Sequence, residues 1–198
     1  MTTLETYQRG LLDLVKNRSV APTDPYLCRV ASCPEIAVVR EIAIWWRAFQ
    51  IETQCPLVAR VLNHYGCFNQ TVTQYFDSHH TSPFVEELTH HFLASLSEHT
   101  DPFLRSVSRF EHALLRTRAG SEETHVILFD RNPDLAFLAL EKTGRVPPAE
   151  HGFRYRMNVD RHLPGMIRCT CEEAIGEGET PRHDEYLKSA LGPEGPNE

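Results

Sequence analysis

The sequence predicts an α+β protein, with a helical bundle over residues 1–120 followed by a small open β-α-β-β sheet with an exposed edge. Three observations carry this. Apolar residues recur at helical spacing, each run with its own start signal, as far as Gly120. After AGSEET the period changes from 3.6 to 2. Residues 153–171, FRYRMNVDRHLPGMIRCTC, then alternate an apolar series with an arginine-bearing one around Leu163-Pro164-Gly165.

Taken in order, Thr2-x-x-Glu5 is a capping box for a helix carrying Leu4, Tyr7, Leu11, Leu14 and Val15. Ser32-x-x-Glu35, with Pro34 between, opens a run whose Ile36, Val39, Ile42, Ala43, Trp46 and Phe49 predict a deeply buried helix at the centre of the core. Pro56 opens a shorter helix that Gly66 closes, and Phe68, Val72, Tyr75 and Phe76 mark another. Ser82-Pro83 starts a helix with Val85, Leu88, Phe92 and Leu96, and Asp101-Pro102 starts one with Phe103, Val107, Phe110 and Leu114. His125 to Asp130 is a strand, Asn132-Pro133 caps a helix running to Gly144, and RVPPAEHG leads into the 153–171 hairpin. The α+β part therefore occupies 121–175. Residues 176–198 form an acidic, partly disordered tail, with a short helix around His183 to Leu191.

Charge narrows the partners. Residues 1–171 are nearly neutral, and the net −7 sits almost wholly in 172–198, with 2 basic against 8 acidic side chains. Such a body has no clustered Lys and Arg for a phosphate backbone, which argues against nucleic acid and for a basic peptide or protein surface. The opening MTTLETYQRG lacks the order of a secretion signal, and no apolar run approaches the roughly 18–20 residues of a membrane span, so a cytoplasmic protein without membrane contact is expected. Six scattered cysteines fit reduced thiols.

Catalytic motifs are hard to find. Glu86, Glu87, His90 and His91 share a helix, and Glu87-x-x-His90 has di-iron spacing. A second such motif and two further inward glutamates are missing, so a solvated face is the simpler expectation and a self-sufficient metalloenzyme the alternative. His79-His80 sits where imidazoles meet the carbonyls of a helix end. Cys28-x4-Cys33 has no second pair at zinc spacing. Cys169 and Cys171, two apart on a strand, share the face of Ile167 and are expected to be core residues. No nucleophile elbow or phosphate loop is present, so neither a catalytic residue nor a metal ligand is assigned. A nucleic-acid-binding regulator is a third hypothesis, suggested only by the helices-plus-hairpin order.

On the hairpin, Phe153, Tyr155, Met157 and Val159 face the helices. Arg154, Arg156, Asn158 and Asp160, with Arg168 and Thr170 on the returning strand, face the other way. These six are the candidate peptide-binding residues, beside a strand edge able to accept an extended guest.

The segment from YFDSHHTSPFVEELTHHFLASL through DPFLRSVSRFEHALLR resembles the helical partner proteins of TIM-barrel multinuclear iron oxidases that modify ribosomally made peptides. The marks are the T-S-x9-F-L-x-x-L helix, the D-P-F-L helix start and R-F-E-H-A-L-L; His112 stands where a tryptophan is frequent. The short chain, its C-terminal half and its paired cysteines look most like the partner subunits of methanobactin biosynthesis, the MbnC group. The resemblance, which covers about half of the chain, implies a heterodimer. Its MbnB-type TIM-barrel subunit holds the iron and converts peptide cysteines to oxazolone and thioamide groups. The present chain, without a cofactor of its own, binds the basic leader of the precursor and presents the core cysteines.

Overall fold

A computed structural model describes residues 4–16, 24–79 and 85–173. Thr2, His80, the Ser82-Pro83 helix start and the 176–198 tail with its expected helix lie outside them. Eight α-helices are present among the described residues: α1 Leu4–Val15, α2 Pro25–Ala31, α3 Glu35–Gln54, α4 Pro56–His64, α5 Phe68–Ser78, α6 Val85–Leu96, α7 Pro102–Arg118 and α8 Pro133–Thr143. Three strands, β1 His125–Phe129, β2 Phe153–Val159 and β3 Ile167–Glu173, form one antiparallel sheet in the order β1-β2-β3. Helices precede the sheet and the class is α+β, as the periodicity predicts. No helix among the described residues is long and apolar enough to cross a membrane. Contacts group the chain into two compact units, one from Met1–Gln54 and Cys67–Thr89, the other from Cys55–Gly66 and His90–Glu198.

In the first unit, Asp24 caps α2 by accepting from the Tyr26 and Leu27 amides, and it also accepts from the Tyr7 hydroxyl at 3.0 Å, which ties α1 to α2. Gly10 lies at that crossing, where a Cβ would come 2.4 Å from Leu27 Cδ1 and oblige that side chain to shift. Lys16 is 2% exposed; its ammonium donates to the His79 carbonyl and lies 5.1 Å from the Phe76 ring centre. His79 meets the Tyr75 carbonyl at the end of α5, as expected of an imidazole there.

Helix α3 corrects the sequence reading. Only Gln50 and Ile51 are buried, while Val38, Val39, Ile42, Trp45, Trp46 and Phe49 are 47–64% exposed. The half-buried residues Ile36, Arg40, Ala43, Ile44 and Arg47 define the seam that turns inward. Arg40 on that seam pairs with Asp77 of α5, its Nη2 donating at 2.9 Å to each carboxylate oxygen. A helix apolar nearly all round has no dominant face, so an ion pair on the neighbouring helix decides its rotation. Ser32 is likewise no cap for α3: it ends α2, and its hydroxyl donates to the Arg29 carbonyl.

The second unit is built on α7. Phe103, Leu104, Val107, Phe110 and Ala113 are buried, and Phe110 stacks on Phe137 of α8 with Phe129 of β1 edge-on to both. Helix α4, buried at Val58, Ala59, Val61 and Leu62, begins at Cys55, whose side chain makes no cap. Its cap comes from across the fold: Glu111 of α7, 5% exposed, accepts from the Leu57 and Val58 amides at 2.8 and 2.9 Å. The α8 start is tied to the sheet by Glu150, which accepts from the Asn132 amide and the Tyr155 hydroxyl.

Candidate functional site

The register places β2 in the middle of the sheet, so the two edges are β1 and β3. They are not equivalent. The buried Ser106 hydroxyl of α7 donates to the Leu128 carbonyl of β1 at 2.6 Å, so a helix already occupies part of that edge. Since that carbonyl points away from β2, Leu128 and Arg156 form a pair that is not hydrogen-bonded to each other. The antiparallel alternation then makes Arg156 and Thr170 a hydrogen-bonded pair. It follows that Ile167, Cys169 and Cys171 direct their N–H and C=O groups outward from β3. The Asp160 amide bond to the Met166 carbonyl agrees with this phase.

Strand β3 is also exposed at its side chains. Arg168, Thr170, Cys171 and Glu172 are exposed, Cys169 is half-buried and Ile167 is 37% exposed. The expectation that Cys169 and Cys171 are core residues is thereby corrected. They do share the inner face, opposite Met157 and Tyr155, but the helices beneath reach β1 and β2 and leave the inner face of β3 partly open. Burial, followed by the nearby Asp134 carboxylate, raises the Cys169 thiol above its usual range, so it is a poor nucleophile. All six cysteines are free thiols.

The six candidate residues separate into two groups. Arg154, Arg156 and Asn158 of β2 and Arg168 and Thr170 of β3 lie on the outer face of the sheet, where Arg156 pairs with Glu172 at 3.1 Å and Asn158 stands opposite Arg168. Asp160 lies beyond the end of β2. Its carboxylate accepts from the Thr124 hydroxyl and the His162 amide, and these contacts hold it below the usual carboxylate range. It therefore shapes the hairpin turn, in which Gly165 and Met166 both take left-handed backbone angles. On β1 the same outer face carries Val126 and Leu128, both about half exposed.

Glu87 and His91 are exposed and His90 is half-buried, its ring 5.2 Å from that of His112. Among the described residues no three His, Cys, Asp or Glu side chains converge as a metal site would require. The sequence reading passed over two surfaces: the exposed stripe of α3, and the Arg109, His112 and Arg116 face of α7 with His125. The second was signalled by spacings of three and four on a helix.

Comparisons of the chain with protein-family models, curated proteins and solved structures found no match.

Proposed function

We propose that the chain is the leader-binding subunit of a heterodimeric, iron-dependent peptide-modifying oxidase of the methanobactin type, with the precursor's leader added as a fourth strand on β3. The observation that carries this reading is the edge itself: outward backbone groups at Ile167, Cys169 and Cys171 on a strand whose side chains from Ile167 to Glu172 are exposed apart from the half-buried Cys169. Main-chain hydrogen bonds supply affinity in such a complex, and alternate side chains supply selectivity. Inward guest residues would cover Ile167, Cys169 and Cys171, and outward ones would meet Arg168 and Thr170. Arg168 has no ion pair among the described residues, so the guest segment beside it is neutral or acidic. A basic leader would draw its attraction from the acidic 172–198 region instead. The iron and the oxygen-dependent step belong to the TIM-barrel subunit; this chain binds and orients.

The α3 stripe supports the heterodimer. Val38, Ile42, Trp45 and Phe49 recur at intervals of four, three and four residues, the seam of a helix that packs on another helix. Large exposed apolar patches mark protein interfaces, and tryptophans at their centre carry much of the affinity. Replacing Trp45 and Trp46 together by glutamate is expected to weaken binding to the TIM-barrel subunit by about a hundredfold or more, measured by co-purification and calorimetry. Unchanged assembly would remove this surface from the account. The function as a whole is tested by purifying the chain with and without a TIM-barrel iron oxidase subunit of the proposed type. The complex is expected to hold iron and act on the precursor, and the isolated chain to do neither. An active, iron-replete chain alone that loses its iron on His90→Ala would establish the metalloenzyme instead.

A further inference from the structure

Arg109, His112 and Arg116 lie on one face of α7, and that face borders the beginning of β1. Between them is a cleft of about 240 Å³, to which Ser97 and His125 also contribute. Among the described residues no carboxylate lines it. Glu98 and Glu123 each hold one guanidinium, Arg109 at 2.7 Å and Arg116 at 2.6 Å, and Arg109 Nε also donates to the Ser97 carbonyl. A guanidinium has five N–H donors, so these contacts fix both side chains and leave donors to spare.

Two observations show what the cleft lacks. His125 Nε2 is buried and has no hydrogen-bond partner among the described residues, although such an atom is ordinarily paired. Burial first, and then the positive charge of the neighbouring His90, Arg116 and His125, holds His112 below the usual histidine range. A group that accepts hydrogen bonds and carries negative charge would satisfy both. A neutral acceptor would pair with His125 alone, and a basic ligand would add to the positive charge around His112.

We infer that the cleft between α7 and β1 binds an oxyanion group, a carboxylate or a phosphate, held by Arg109 and Arg116 and by the ring nitrogens of His112 and His125. Planar guanidiniums match the two-oxygen edge of either group. The charged and titratable groups around His112 are His90 on α6, Arg109 and Arg116 on its own helix and His125 on β1, with Glu98 and Glu123 beyond the two arginines. Of these only the two glutamates oppose an anion, and each is engaged by an arginine.

The test is ring-nitrogen magnetic resonance of the full chain, titrated separately with inorganic phosphate and sodium acetate at constant ionic strength maintained with chloride. Saturable shifts of His112 and His125, with His64 unmoved, are expected from at least one anion. The one that saturates at lower concentration identifies the chemistry. Occupancy is expected to raise the His112 pKa by about one unit. Arg116→Gln should weaken binding about tenfold, and Glu123→Gln, which frees that guanidinium, should strengthen it. Shifts that grow linearly with both anions, or an affinity indifferent to both substitutions, overturn the inference.

Discussion

Glu111→Ala is expected to destabilise the protein by on the order of 3 kcal/mol, because it strands the buried Val58 amide and the part-buried Leu57 amide and opens a cavity. The Leu57 and Val58 amides start α4, whose own N-cap position offers no side-chain acceptor. In a chain of this size the midpoint of thermal unfolding should fall by about 6–12 °C. The same group gives a pH signature. Burial pushes the Glu111 carboxyl up to about 7, against the pull of the two amides and of Arg60 and Arg118. The folded state therefore holds this proton where the unfolded state, titrating near 4.5, has released it. The contribution is fully present below about 4.5 and declines as pH rises through about 7, by on the order of 3 kcal/mol. Glu111→Gln cannot titrate, so its stability deficit relative to the native chain should be larger at pH 5 than at pH 8. Denaturant unfolding of both proteins at the two pH values measures this, and a deficit independent of pH would contradict the assignment. The glutamate of the R-F-E-H-A-L-L signature thus has a structural task in this chain.

Cys169→Pro is expected to abolish capture of the precursor, with a loss of at least about a hundredfold, while the chain stays folded. Proline removes one N–H, and on an edge strand the loss is tolerated when that N–H points outward. The phase set by Ser106 and Leu128 makes Cys169 such a position at the middle of β3. Cys169→Ala, which keeps the amide, should bind as the native chain does. Thr170→Pro, one residue on, deletes a bond to β2 and should unfold the hairpin. Calorimetry with the precursor, together with thermal melts of all three variants, separates loss of the edge from loss of the fold. Equal binding by native chain and Cys169→Pro would mean that the guest does not use this edge.

What the sequence made legible follows the reach of each signal. Cap chemistry is local, and Asp101-Pro102 and Asn132-Pro133 each start a helix where expected. Asp24-Pro25 carries the same signal and starts α2, but a helix of 7 residues has too little apolar periodicity to stand out in the sequence. Strand alternation is also local: Tyr155, Met157 and Val159 are buried and Arg154 and Arg156 are not. Whether a face is covered depends on other elements. Alternation gives the face of Cys169 and Cys171 but not their burial, because how many strands the helices span is not written in the strand. The exposure of α3 had the same cause, its rotation being fixed by Asp77 on a helix far along the chain. The candidate site was half legible: its outer-face residues were, but its edge was not, since that depends on sheet order and on a serine of α7.

The most direct measurement is amide hydrogen exchange of the chain with and without a cysteine-containing precursor peptide of the kind the proposed function requires. New protection of the Cys169 and Cys171 amides, with the β1 amides unchanged, is the result expected of a guest strand on β3. Protection confined to β1, or no change along β3 in a complex that demonstrably forms, would contradict the docking edge on which the proposed function rests.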